Sequence, residues 1–372
     1  MLLNGGGVGV AENPTPARKG AFPGRHERTF VLVFSLTERS LYVRDLDLWI
    51  DSMRPRSRCY VSHGHSDHAR EHDTIVTTPA NARICRSRFE RSLAHAKQMA
   101  LLPARGRPAC DFEERNFNEP WEDGRHRLTL FPAGHVLGSA QLLIEGDAGR
   151  FVYTGDFKLA RSYTCEPPEV KRCDVLLMEC TYGRPQYVFP SRDEVEDALV
   201  TFATKALEDG VAPVLMAYSL GKAQEAMAIL GKAGVPLTVH GAVHAIARCY
   251  EESGVRLPPY ERYDAVTYDG TRALIWPPSG KRLPKALAGK RSRTAMLSGW
   301  ALDASAPFRY GVDVCIPLSD HADYAALLRY IELAQPSKVL LNHGWRDFVW
   351  RLRRMGIDAS YLEANEQLSL FS

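Results

Sequence analysis

Three histidines and an aspartate crowd into six residues at His63-Gly64-His65-Ser66-Asp67-His68. Neutral imidazoles and carboxylates are ligands for zinc, manganese or iron. One short loop cannot wrap all four around a single ion. The spacing suits two ions, with His63 and His65 facing one and Asp67 and His68 the other. The alternative is a His-rich surface loop, which would need no distant partners. The chain supplies such partners in His135, Asp156, Glu179, His321 and His343.

The ligand count fits two metals. His63, His65 and His135 give three nitrogens to one ion. Asp67, His68 and His343 serve the other, and Asp156 bridges both with its two oxygens. Two cations about 3.5–4 Å apart hold a hydroxide between them and clamp a phosphoryl group for in-line displacement. They lower the pKa of the water, so no protein base is required. A leaving alkoxide still needs a proton, and His321 is the spare histidine able to supply it near neutral pH. Glu179 can accept a hydrogen bond from the other ring nitrogen of His321 and hold its tautomer. Asp51 reads as a group that orients the loop or a ligand, not as a ligand itself.

Something must bring these residues together. His63, His135, Asp156, Glu179, His321 and His343 each lie just beyond an apolar run that reads as a strand. In layered α/β folds strand ends share one edge of the sheet, and sites form there. Strands are expected at 29–35, 40–43, 59–62, 128–131, 141–145, 150–154 and 175–178. The 141–145 and 150–154 pair reads as a hairpin. Gly134, next to His135, lets backbone pass close to whatever that histidine binds. A helix over 81–104 carries Arg83, Arg86, Arg88, Arg91 and Lys97 on a polar side that reads as a solvated face.

The texture changes at Ser191-Arg192-Asp193-Glu194, a capping box that opens a helix to about Glu208. Strand and helix then alternate: a strand at 211–217, a helix at 221–232, a strand at 235–239 and a helix at 242–252. That alternation implies a parallel sheet flanked by helices. Residues 277–293 hold Lys281, Arg282, Lys285, Lys290, Arg291 and Arg293 with no acid among them. The segment fits a phosphate-tracking strip and a soluble linker equally. Strands follow at 294–298, 314–317 and 338–341, with a helix at 325–333. A last amphipathic helix sets Phe348, Leu352 and Met355 on one face.

Composition bounds the class. The chain has 372 residues, 45% hydrophobic and 24% charged, with a net charge of +3. It is long enough for real cores, and its charge is too small to declare a nucleic-acid binder by itself. No apolar run approaches a membrane span, and no secretory signal is visible. Eight scattered cysteines form no C-x-x-C, which suits free thiols in a reducing cytoplasm. Residues 1–28, rich in Gly, Pro and Arg, read as a mobile arm.

The motifs resemble a known family. His63-Gly64-His65-Ser66-Asp67-His68, His135 in Gly-His-Val-Leu-Gly-Ser-Ala and Asp156 in Thr-Gly-Asp-Phe are similar to the motifs of the metallo-β-lactamase superfamily. Asp51 matches its first, structural aspartate. Glu179 in Glu-Cys-Thr-Tyr-Gly, His321 in Ser-Asp-His-Ala-Asp and His343 in Asn-His-Gly resemble the further motifs of the β-CASP nucleases. The implied fold is α/β, an αββα metallo-β-lactamase sandwich from residues 29–190 plus 294–372. An α/β β-CASP domain would be inserted at 191–293. The resemblance implies two divalent ions, zinc or manganese, and a catalytic set of Asp67, Glu179 and His321. His343 would be a metal ligand, where DNA-cross-link-repair members typically lack that histidine.

Leu297-Ser298-Gly299-Trp300-Ala301-Leu302 and Leu318-Ser319-Asp320-His321 look most like bacterial exonucleases associated with DNA ligase. The implied activity is a metal-dependent, sequence-independent DNA exonuclease of DNA repair. Its substrate would be single-stranded or free-ended DNA, and its partners a DNA ligase and other repair proteins. An RNA-processing β-CASP ribonuclease is the alternative. Small-molecule hydrolases of the superfamily lack the insert and the His321 phrase, and a non-catalytic scaffold would have lost ligands. Ser219-Leu220-Gly221-Lys222 opens a helix. Ser219, Lys222 and Trp300 are candidate phosphate or nucleic-acid contacts, Lys222 equally a solvated lysine behind an ordinary cap.

Overall fold

The computed structural model describes residues 33–37, 40–98, 110–147, 149–278, 291–362 and 367–369. The N-terminal arm expected at 1–28, and Lys281, Arg282, Lys285 and Lys290 of the basic segment, lie outside the described residues.

Three sheets carry the chain. The first takes β1 (Val33–Thr37), β2 (Ser40–Val43), β3 (Leu48–Ile50), β4 (Arg58–Tyr60) and β5 (Thr74–Thr77), then α1 (Pro79–Gln98) and β6 (Asp111–Glu114). The second takes β7 (Trp121–Asp123), β8 (His126–Pro132), β9 (Ala140–Gly146), β10 (Gly149–Tyr153) and β11 (Val175–Cys180). There follow α2 (Arg192–Glu208), β12 (Ala212–Met216), α3 (Lys222–Lys232), β13 (Leu237–Val239), α4 (Gly241–Glu252), β14 (Tyr260–Arg262), β15 (Ala273–Trp276), β16 (Ser292–Leu297), α5 (Ala306–Tyr310) and β17 (Val314–Ile316). These strands form a third sheet, ordered β14-β13-β15-β12-β16-β17 and parallel throughout. The chain then returns with α6 (Tyr324–Ala334), β18 (Lys338–Gly344), α7 (Phe348–Arg354) and β19 (Ala359–Tyr361) to the second sheet, and β20 (Gln367–Ser369) closes on β1.

The side-chain alternation of a strand explains the layering. In the second sheet Leu128, Leu130, Leu142, Ile144, Phe151, Tyr153, Val175 and Leu177 face the first sheet. Their neighbours Phe131, Leu143, Val152, Leu176 and Met178 face α6 and α7. Runs that are apolar at every position thus bury both faces. On the far side of the first sheet Cys59, Val61 and Ile75 pack against Cys85 of α1. The result is an αββα sandwich with an inserted α/β unit. Each fully buried Leu, Val or Phe contributes about 1.5–3 kcal/mol. A surface pair such as Arg329–Glu332 contributes about 0–1 kcal/mol, so the apolar interior holds the layers together.

The capping box on α2 is present, with Ser191 N donating to Glu194 at 2.8 Å. Three sequence expectations differ from the structure. The expected boundary at 293/294 falls inside β16 and leaves β17 beyond it, although both strands pair in the third sheet. The basic run ahead of β16 has no apolar periodicity and so resembled a junction. Met355 is not on the buried face of the last helix but caps it, 57% exposed, while Phe348 and Leu352 are buried. The arginines of α1 are not simply solvated. Arg83 donates to Ser253 Oγ at 2.7 Å and Arg91 to the Ala242 carbonyl at 3.1 Å, so α1 leans on α4 and the inserted unit. An apolar seam of Ile84, Val136, Leu220, Ile246 and Tyr250 backs that contact.

Candidate active site

The site begins where β3 and β4 end. Asp51, just past β3, takes a left-handed φ of 43° and turns its buried carboxylate under the histidine loop. It accepts from Ser62 N at 2.7 Å, Ser62 Oγ at 2.6 Å and Tyr153 OH at 2.8 Å. Its fourth partner is His68 Nδ1 at 2.8 Å. His68 therefore donates through Nδ1 and presents Nε2 to Asp156 Oδ2 at 3.4 Å. Burial works against a charge on His68, but Asp156 and Asp51 outweigh it and hold its pKa well above the usual value.

The second sheet supplies the other half. β8 runs out to His135, whose Nδ1–H donates to the Asp320 carbonyl at 2.7 Å. His135 Nε2 then lies 3.0 Å from His65 Nδ1. β10 runs out through Gly155 to Asp156. At Gly155 (φ +54°) an added Cβ would stand 2.8 Å from Ser62, so only glycine lets the two sheets' loops meet. Gly155→Ala is expected to cost about 1–3 kcal/mol of stability through this strain and to lower the melting temperature. An unchanged melting curve would show that the loops yield there.

One ligand atom each from His63, His65, His135 and Asp156 lies within 4.8 Å of the others. His63 Nε2 is buried with no hydrogen-bond partner and sits 3.5 Å from Asp156 Oδ2. Burial, aided by neighbouring imidazoles, drives His63 and His135 well below the ordinary histidine pKa, and burial pulls His65 down to about 4. These rings are neutral, with lone pairs turned toward one carboxylate. An orphaned buried nitrogen and two facing imidazole nitrogens fit a divalent cation, and the three-nitrogen, one-carboxylate set suits zinc or manganese. Asp51 holds His68 as carboxylates hold metal-binding histidines. Asp51→Asn is expected to weaken metal binding about 10- to 100-fold, read by titration calorimetry.

The remaining expected ligands are set more loosely. Asp67 is exposed. His343, the penultimate residue of β18, has φ 46° and is also exposed, its ring 5.1 Å from that of His68. Gly344 follows at φ +142°, where a Cβ would meet the Cys180 backbone. Asp67 and His343 line the same cavity as His68 and Asp156, outside the tight cluster.

Glu179, next to last in β11, is buried. It accepts from Phe157 N at 2.9 Å and from the Thr181 hydroxyl, and its two oxygens lie 3.0 Å from His321 Nδ1. His321 Nε2 then faces Asp156 Oδ2 at 4.0 Å. Burial opposes the charge on His321, but Glu179 and Asp156 overcome it and raise the pKa to about 9. A protonated Nε2 thus stands beside the cluster. Asp156, Glu179 and His321 also lie close enough to form a ligand set of their own.

Lys222 differs from its expected part. It is buried, and its ammonium goes to Asp320 instead of to open cavity. Lys222 is the first residue of α3 behind Gly221 (φ +86°), and that tight entry aims it at the strand exit carrying His321. Ser219 and Trp300 line the cavity, as do Arg88, Tyr218 and Trp345, which sequence reasoning did not single out as site residues. Asp320 was missed too. It sits inside the quoted Ser-Asp-His-Ala-Asp phrase, and no local signal separates it from Asp323, the actual N-cap of α6. The six strand ends converge, but from three sheets and not from one edge: β4 from the first, β8, β10, β11 and β18 from the second, β17 from the third. His65, Asp67, His68, Asp156, His321 and His343 line a cavity of about 790 Å³, and His63, His135 and Glu179 are buried beside them.

Among the described residues no helix is long and apolar enough to cross a membrane. Residues 50–240 match the family model of the beta-lactamase superfamily domain. A "Probable DNA ligase" of Opitutus terrae is 38% identical over 89% of this chain and 31% of its own length. An "RNase J-like protein" of Methanocaldococcus jannaschii is 26% identical over 63% of this chain and 66% of its own length. The chain thus spans about a third of the first relative and just under two thirds of the second. A solved protein of unknown function from Enterococcus faecalis shares the fold, with a TM-score of 0.56, 17% identity and coverage of 83% of this chain and 80% of its own. With its αββα sandwich, its inserted parallel unit and its match to the family model, the chain belongs to the metallo-β-lactamase superfamily.

Proposed function

We propose that this chain is a metal-dependent DNA exonuclease that hydrolyses phosphodiester bonds at strand ends in DNA repair. The observation that carries the reading is the meeting, at Asp156, of the His63–His65–His135–Asp156 cluster with the Glu179–His321 couple, beside a cavity that His65, Asp156 and His321 line. His63, His65 and His135 would hold one divalent cation, Asp67, His68 and His343 would hold a second, and Asp156 would serve both. Two such cations, zinc or manganese, supply a water of lowered pKa and positive charge against the phosphoryl oxygens. His321 Nε2–H gives its proton to the departing oxygen, while Glu179 keeps Nδ1–H fixed and the ring charged. Asp51 locks the His68 tautomer.

The printed name of the Opitutus relative supports DNA as substrate and a ligase as partner. The described cysteines are all free, which supports a reducing compartment such as the cytoplasm. The domain division follows the same reading, with the inserted β-CASP unit opening at Ser191 and its sheet running through β17. A second reading, an RNA-processing nuclease, is supported by the name of the Methanocaldococcus relative and uses the same residues. End-labelled single-stranded DNA and the matching RNA, each with zinc or manganese, separate them. Progressive shortening of the DNA from one end, at least tenfold faster than of the RNA, is expected. Preferred loss of the RNA would overturn the DNA reading.

A further inference from the structure

The cavity wall is unusual in which groups it leaves free. Apart from histidines, its cations are Arg88 and Lys222. Arg88 donates to the Gly64 carbonyl and Lys222 to Asp320, so both are engaged within the protein. Four aromatic side chains, Tyr182, Tyr218, Trp300 and Trp345, share the wall with small polar ones. Tyr218 leaves the C-terminal end of β12, and Trp300 leaves that of its parallel neighbour β16, with Met216 paired to Met296. Tyr218 is 51% exposed. Among the described residues its hydroxyl has no hydrogen-bond partner and its ring meets no other ring, with only the Lys222 ammonium over it at 5.1 Å.

Trp300 is the opposite case, a braced platform. Its ring lies 4.7 Å from Tyr182, 5.2 Å from Tyr187 and 6.4 Å from Trp345. Trp345 is capped in turn by Arg184 at 3.4 Å. A rigid ring loses little entropy when a flat ligand settles on it. The cavity of about 790 Å³ falls within the size range of small-ligand pockets.

We propose that this cavity takes the unpaired end of a DNA strand by stacking, with one base on Tyr218 and another on the Trp300–Trp345 wall. The proposal rests on the nuclease reading and names the form of its substrate. Every base offers a π-face, so stacking holds a strand without reading its sequence. In a duplex all those faces but the outer one of the terminal pair are covered by neighbouring base pairs, so two successive bases reach separate rings only when the end is unpaired.

The test is binding of phosphorothioate-linked strands, which resist hydrolysis, to the metal-loaded protein by fluorescence anisotropy. A short oligothymidylate is compared with the same backbone lacking bases at its terminal positions. Each missing base is expected to weaken binding about 5- to 150-fold. Tyr218→Leu should weaken the oligothymidylate similarly and leave the abasic strand unchanged. Trp300→Leu should do the same, but Trp300 is packed and its loss can disturb the fold, so the half-exposed Tyr218 decides. Equal binding of the two strands by the wild type, or an equal loss on both in Tyr218→Leu, overturns the proposal. Base-dependent binding without cleavage of ordinary strands overturns the nuclease reading alone. Cleavage without base-dependent binding overturns the stacking proposal alone.

Discussion

Asp156→Ala is expected to reduce phosphodiester cleavage by about a thousandfold or more, because metal charge stabilisation supplies several kcal/mol at about 1.4 kcal/mol per tenfold. One carboxylate oxygen, Asp156 Oδ2, faces His63 at 3.5 Å, His68 at 3.4 Å, His135 at 3.9 Å and His321 at 4.0 Å. Asp320 also comes within 4.8 Å of both His135 and His321, but its carboxylate is engaged by Lys222. Without Asp156 the imidazoles keep their other partners, the Ser62 hydroxyl for His63 and backbone carbonyls or carboxylates for the rest, so the circular dichroism spectrum should be unchanged. Asp67→Ala is the cleaner companion. Asp67 is exposed, and such substitutions usually change stability by no more than about 0.5 kcal/mol, so a loss of activity there is chemical and not structural. Metal content by elemental analysis should fall in both variants. Cleavage near the wild-type rate in either would refute the two-cation model.

His321→Ala is expected to slow cleavage about 10²- to 10⁴-fold, the span of a lost general acid, while metal content stays at the wild-type level. Loss of metal would instead make His321 a ligand, which its closeness to Asp156 and Glu179 permits. The pH profile adds a second readout. His321 is raised to about 9, so its acid form is present below that pH and is lost as the pH rises through it. The rate should therefore hold at neutral pH and fall on an alkaline limb near 9. Glu179→Gln removes the largest of the interactions that favour the charged ring, so the limb should move to lower pH. A limb that stays in place would separate His321 from the proton transfer.

The residue types of the site were legible in the sequence because each sits at a break between an apolar run and a polar loop. That break is local, and a chain reader sees it. The hairpin of β9 and β10 and the capping box of α2 are legible for the same reason. The boundary of the inserted unit was not, since β16 and β17 join a sheet whose other strands come earlier in the chain. Nor was Asp320, whose carbonyl orients His135 and whose carboxylate holds Lys222. Both contacts cross long sequence separations, and neither leaves a periodic or compositional trace. The sequence by itself determined the opening cluster at His63–His68, its donor chemistry and the identity of its distant partners. Only the tertiary structure decided which nitrogen each histidine presents and which ligands crowd and which stand apart. It also decided that Lys222 is spent inside the protein while Tyr218 is left bare. These are properties of hydrogen-bond partners and burial, which exist only once three sheets have met.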